Sequence, residues 1–356
     1  NITSSGENAG GEILIGGNYL GRGPEPNASK TVVQGQAKIS ADALSSGDGG
    51  RVIVWSDDYT NFEGEITAKG SNSGKGGFVE TSSKNILRAF GIVDASGDGD
   101  SGTWLLDPIN VSIVSGSTDT NVSEGPIYEP AASGSEVSVG SIVSTLQGGS
   151  NVHIVTGTTG DGVSQVGTIT VSADISVANS AERSLTLLAA EDIDVNANIT
   201  ATNKELNINL FAQGDVSIAS SKTITTLGGN VTVNGANDAG TSTGGSGSNG
   251  AGSFTLSGAI NTKGRDDVAG GNVEIETTVR NPSGGDSSGD ITISGNISTV
   301  GGDSTSGAGL AGGSISLTGL GVGAAVTVSS GADLNSSGSN AFNGDSAGGS
   351  GGAVTI

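Results

Sequence analysis

The chain has 356 residues, of which 64 are glycine, well over twice the usual share of about 7 %. It carries 14 Lys+Arg against 36 Asp+Glu, a formal net charge of −22, with one histidine and no cysteine or methionine. That charge repels phosphate backbones and argues against nucleic-acid binding, and the absence of cysteine excludes disulfide scaffolds, zinc ribbons, iron–sulfur clusters and thiol nucleophiles.

The lone His153 rules out chemistry that needs a histidine pair. The glycines follow no strict third-residue period, which excludes collagen. A hydrophobic share of 33 %, few charges and a mean hydropathy of −0.04 fit a folded chain better than a disordered one.

Taken in chain order, one unit recurs: two glycines or small residues, a short alternating β-branched strand, a small turn, and a second short strand. It reads GGEILIGG from Gly10, GGRVIVWSD from Gly49 and GGFVETSS from Gly76. The second strands EITAKG (Glu65), AINTKG (Ala259) and NISTVGG (Asn296) are equally regular. From Pro108 to Thr168 the glycine pairs thin out and Pro108, Pro126 and Pro130 interrupt the chain. There, Val139, Ile142, Val143 and Leu146 followed by Gly148 predict a short amphipathic helix with a glycine stop. The strands resume at Val152 and run through Gly167–Ala178, Ser184–Thr200 and Leu206–Ala219. The unit then returns as GGNVTVNG from Gly228, GAGSFTLSG from Gly250, GGNVEIET from Gly270, SGDITISG from Ser288, GGSISLTG from Gly312 and GGAVTI from Gly351.

Strands this short cannot bury a core alone, but stacked in register each pairs with the strand above and below, about 4.8 Å away. Inward Val, Ile and Leu then form continuous columns. Successive starts at Phe254, Val273, Ile291 and Ile315 suggest turns of roughly 18 to 24 residues, with two or three strands each. Gly-rich stretches such as 238–253 and 301–313 read as outward loops. A propeller would want an aromatic blade motif, which is missing. The expectation is an all-β parallel β-helix with Gly-rich loops and a helix-containing decoration. Residues 1–108 and 166–356 form its turns, and 109–165 are a decorated segment leaning on one continuous solenoid. With no initiator Met, no basic-then-apolar start and an end in mid-strand, an internal piece of a longer protein is expected. No apolar run reaches membrane-spanning length.

Residues 16–113 carry something more specific. GGNYLGRGPEPNA (Gly16–Ala28), GDGGRVIVWSDDYTNFEGEITAKG (Gly47–Gly70), GKGGFVETSSK (Gly74–Lys84), VDASG (Val93–Gly97) and GTWLLDPINVSI (Gly102–Ile113) resemble the filamentous haemagglutinin-like exoproteins of two-partner secretion. The stretch from Ile175 to Ile199 and GGNVTVNG resemble that family's repeats more loosely. The resemblance implies a right-handed parallel β-helix exported through an outer-membrane two-partner secretion transporter of a Gram-negative bacterium. It also implies a secreted or cell-surface location and a role in adhesion or surface filaments. Zero cysteine independently suits a chain threaded unfolded through a pore.

Candidate chemistry is sparse. Asp57 with Asp58, Asp98 with Asp100, and Asp266 with Asp267 are acidic pairs suited to calcium or acid–base work, set against a plain reading as solvated loop carboxylates. The strict nonapeptide calcium repeat is absent, so no cofactor is expected beyond loosely held calcium. Trp55, Tyr59 and Trp104 would form a glycan-stacking platform if exposed, or fill a wide section of core if buried. Asn110, Asn121, Asn198 and Asn230 begin glycosylation sequons. The expected function is a non-enzymatic adhesin stalk whose partners are a cell-surface or glycan receptor. The alternative is a filament assembled from neighbouring copies, and a polysaccharide-degrading β-helix enzyme stands third.

Overall fold

Alternating β-branched strands too short to stand alone must find partners at long range, and here every one of them pairs in parallel. The computed structural model describes residues 1–116, 134–157, 167–235, 252–278, 289–320, 323–342 and 347–356. They divide into two compact units, Asn1–Ser172 and Ala173–Ile356, each a parallel β-helix with three strands per turn. The stretch 238–253 and the residues Asn121, Pro126 and Pro130 singled out in the sequence lie outside the described residues, apart from 252 and 253.

In the first unit one face stacks Ile2–Thr3, Lys38–Ser40, Glu65–Thr67 and Ile92–Asp94. A second stacks Glu12–Ile15, Arg51–Val54, Phe78–Thr81, Thr103–Leu106 and Asn151–Val155. Ile13, Val52, Val79, Trp104 and Val152 lie in register along it and are all buried, an inward column of the kind expected. Where the chain enters this face, Gly11, Gly50, Gly77 and Gly102 stack. A Cβ on Gly77 would sit 2.2 Å from the carbonyl oxygen of Gly50, and one on Gly102 2.2 Å from that of Gly77. The glycine pairs are therefore a requirement of turn-to-turn spacing, since a methyl group cannot fit between backbones this close.

The third face holds Lys30–Val33, Tyr59–Phe62, Ile86–Ala89, Ser135–Ser138, Val111–Val114 and Ile169–Val171, in that spatial order. The chain thus skips a layer at Val111–Val114 and returns to fill it with Ser135–Ser138, where Glu136 pairs with Arg88 and Val111 with Ser135. The helix follows at once, Val139–Gly148, packed against Ile92–Asp94 at the edge of the four-stranded face. Ser138 caps its first turn, accepting from the amide of Gly140, and Ile142 and Leu146 are fully buried. Its stop is Gly149 at φ +111°, one residue beyond the glycine expected from sequence. Within 109–165, the described strands Val111–Val114 and Ser135–Ser138 belong to the ladder, Ser135–Ser138 pairing on both its edges.

The second unit repeats the scheme with Ile175–Val177, Ile199–Ala201, Thr223–Thr225, Ala259–Asn261, Ile297–Ser298 and Leu334–Asn335 on one face. Arg183–Ala189, Leu206–Ala212, Val231–Gly235, Val273–Thr278, Ile315–Leu320 and Val354–Thr355 form the next. Ile193–Val195, Val216–Ile218, Phe254–Leu256, Ile291–Ile293 and Val326–Val328 form the third. Phe254 stacks on Ile291, and Val273 on Ile315, steps of 37 and 42 residues. The 18- to 24-residue spacing expected from sequence is thus corner-to-corner distance within a turn. Strands on different faces share one local pattern, so spacing alone does not tell them apart.

Polar side chains tie the corners from turn to turn. Asn207 Oδ1 accepts the amide N–H of Asn230, Asn230 Oδ1 that of Asn272, and Asn272 Oδ1 that of Ser314, each at 2.8 Å. Asp192 and Asp215 do the same for Asp215 and Ser253 at 2.8 and 2.7 Å. Except for Asn207, which is the second residue of its strand, each such Asn or Asp directly precedes a strand, a signal present in the sequence as Asp192-Ile, Asp215-Val, Asn230-Val and Asn272-Val. These bonds satisfy backbone donors that a bend would otherwise leave to water.

Candidate functional site

The most unusual chemistry lies on the outer side of the second face in the first unit. Along its outward row Leu14, Ile53, Glu80, Leu105 and His153 stand in register. Outward positions on such a face normally meet solvent, yet Ile53 and Glu80 are 0 % exposed. Trp55, on the same side two residues past Ile53, is 5 % exposed.

A strap covers them. Its base is closed by the amide of Ala28 donating to the carbonyl of Gly16 at 2.7 Å. Within it, Asn18 caps a single 3-10 turn, Tyr19–Gly21. The Tyr19 ring meets Phe78 edge-on at 5.8 Å and takes the Arg51 guanidinium over its face at 5.4 Å. Gly21, at φ +64°, lies so flat on Trp55 that a Cβ would sit 2.5 Å from the indole ring. Asn27 donates to both the Gly21 carbonyl and the Asp57 carboxylate at 3.0 Å.

Beneath the strap the amide of Leu20 donates to the Glu80 carboxylate at 3.2 Å. Burial pushes the Glu80 carboxyl up to about 8, against the pull of the Leu20 amide and the Ser82 hydroxyl. Asp107 is half-buried as a residue, but its carboxyl group is enclosed, and burial raises it to about 7, partly offset by Arg22. Burial, with Glu80 and Asp107 next in importance, also raises the Tyr19 phenol. Further along the row, burial lowers the His153 imidazole. None of these acids was among the sequence candidates, although the unbroken apolar runs in RVIVW and TWLL are a signal that both sides of these strands are covered.

The residues that were candidates fall elsewhere. Asp57 accepts from Asn27, and Asp58 from the Ser29 hydroxyl. Asp98 accepts the amide of Asn72 at 2.7 Å, while Asp100 pairs with Lys75 at 3.0 Å. Asp267 accepts from the amide and hydroxyl of Thr305, which lowers its carboxyl, and Asp266 is exposed. The sequence-adjacent acids thus diverge to separate partners, and several are tied to the neighbouring turn instead of being simply solvated. Among the described residues no three acidic or histidine side chains come together as a metal site would require.

The aromatic platform does not form: Trp55, Tyr59 and Trp104 are 5 %, 1 % and 0 % exposed. Trp104 points inward, donates from Nε1 to Thr81 Oγ1 at 2.9 Å, and stands edge-on to Phe62 at 6.3 Å. Asn110, Asn198 and Asn230 spend their amide oxygens on backbone N–H groups of Thr168, Thr223 and Asn272. No family model matches the chain, and no curated protein matches it. Among the described residues, no helix is long and apolar enough to cross a membrane.

Proposed function

We propose that this chain is a stalk segment of a secreted or cell-surface adhesin, without enzymatic activity of its own. The observation that supports this reading is the in-register parallel stacking of turn on turn within each unit. In such a ladder each added turn extends the structure through contacts only with its neighbours. The turn-to-turn interval along one face varies from 23 residues at Leu185 to Ile208 up to 42 at Val273 to Ile315. Extra residues are therefore accommodated at corners without disturbing the register, which suits a scaffold that presents variable contact loops. The resemblance of 16–113 to two-partner secretion exoproteins adds the route: export through a dedicated outer-membrane transporter to the Gram-negative surface.

The experiment is to image the purified chain over a range of concentrations without ligand and to measure its retention on cultured cells and immobilised glycans. Separate particles at every concentration, retained on cells or a glycan class, are the expected result. Fibres that grow with concentration would move the assignment to a self-assembling filament. Release of oligosaccharides from an acidic polysaccharide would overturn the non-enzymatic reading.

A further inference from the structure

The strap over Glu80 has the construction of a lock. We propose that the 16–28 strap is a proton-controlled lid, closed while Glu80 and Asp107 are neutral and released as they ionise, uncovering the outward apolar row at Ile53, Trp55 and Leu105. Four separate contacts hold it: Leu20 to Glu80, Tyr19 to Phe78 and Arg51, Gly17 and Gly21 on Trp55, and Asn27 to Asp57. Leu20 reaches Glu80 from φ +54°, a left-handed conformation that a leucine keeps only under constraint. Ionisation strengthens this one hydrogen bond, so release is driven by the cost of enclosing the charge, and Leu20 then relaxes out of its constrained conformation.

The charged surroundings decide the direction. From the strap, Tyr19 and Arg22 face the acids; from the sheet come Arg51, Ser82 and each acid in turn. Arg51 is already engaged, paired with Glu12 at 2.8 Å and lying over Tyr19. Arg22 alone leans on Asp107. Two ionised carboxylates enclosed together thus carry more negative charge than the available cations balance, whereas two neutral acids fit among Ile53, Leu105 and the strap backbone. His153, next after Leu105 in the row, is half-buried and held towards its neutral form, so it adds no balancing charge.

The sign follows from linkage. When the strap opens, Glu80 and Asp107 return towards their ordinary values of 4.5 and 3.8. Closure is then fully supported below about pH 4, and this support is lost as pH rises through about 7 for Asp107 and about 8 for Glu80. Each group shifts the opening equilibrium by up to about tenfold per pH unit, so opening should increase at least ~100-fold between pH 5 and pH 7.

Hydrogen–deuterium exchange of the whole chain from pH 5 to pH 8.5, corrected for intrinsic exchange, reads this directly. Protection of peptides covering 16–28 should fall at least ~30-fold more than protection of the interior strand Tyr59–Phe62. Glu80→Gln keeps an acceptor for Leu20 without a titratable proton and should roughly halve the pH slope; Glu80→Gln with Asp107→Asn should flatten it. Constant wild-type protection of the strap across this range overturns the proposal, as does an unchanged slope in the double variant. Should the variants fold poorly, the wild-type slope against the interior strand decides alone.

Discussion

Identical substitutions at two glycines of the first unit should change stability in opposite directions. At Gly77 an added Cβ would lie 2.2 Å from the Gly50 carbonyl oxygen and 2.8 Å from the Ala68 methyl group. Carbon and oxygen tolerate about 3.2 Å, so the two turns would have to part by roughly 1 Å. Three hydrogen bonds meet at this corner, two of them between turns: Phe78 N–H to Gly50 and Thr103 N–H to Gly77 at 3.0 and 3.1 Å, and Gly77 N–H to Ala68 across the corner at 2.8 Å. With each worth about 1 kcal/mol net, and overpacking adding a similar amount, Gly77→Ala should cost about 2–4 kcal/mol. Gly148 closes the helix with nothing within 4 Å of an added Cβ. There the lower backbone entropy of alanine should stabilise by up to about 0.5–1 kcal/mol. Both tryptophans, Trp55 and Trp104, belong to this unit, so their emission during urea unfolding reports it selectively. A Gly77→Ala midpoint within error of wild type, or a Gly148→Ala loss as large as that of Gly77→Ala, would refute the idea that the glycine pairs exist to let turns approach.

Trp104→Phe should cost about 2–4 kcal/mol, measured by thermal unfolding in circular dichroism, because it opens a void and strands the buried Thr81 hydroxyl without its donor. His153 is held below its ordinary 6.5 by burial, so its neutral form supports the fold above that value, and the support is lost as pH falls below it. Stability of His153→Gln, followed in urea at pH 7 and pH 5, should therefore decline less on acidification than that of the wild type; an equal decline would place acid sensitivity elsewhere. Asn230→Ala removes the acceptor for the Asn272 amide and should destabilise the second unit by about 1 kcal/mol in chemical unfolding. Asn230→Asp keeps that acceptor and should recover most of the loss.

Much of the architecture is legible along the chain because its cause is local. A pleated backbone alternates its side chains, so RVIV and VTV patterns declare strands, and glycine pairs declare corners where no Cβ fits. The helix at Val139–Gly148 announces itself through Val139, Ile142, Val143 and Leu146 and a glycine stop at Gly148, while the caps Ser138 and Gly149 emerge only from the structure. Parallel pairing with the equivalent strand of the next turn satisfies the backbone groups of strands this short. Trp55 and Trp104 show where local reading stops: one directly follows a strand and the other lies within one, yet Trp55 faces outward under a strap and Trp104 inward.

What only the tertiary structure decided is which strand lies on which. Phe254 and Val273 begin strands of the same local pattern, and their assignment to different faces depends on partners 37 and 42 residues further on. The same holds for Ser135–Ser138, slipped between Ile86–Ala89 and Val111–Val114, and for Glu80, whose outward position reads as solvent-facing until residues 16–28 fold over it. Side-chain alternation is set by neighbours one and two residues away. Stacking order and burial of an outward acid are set by segments tens of residues apart, which the alternation does not encode.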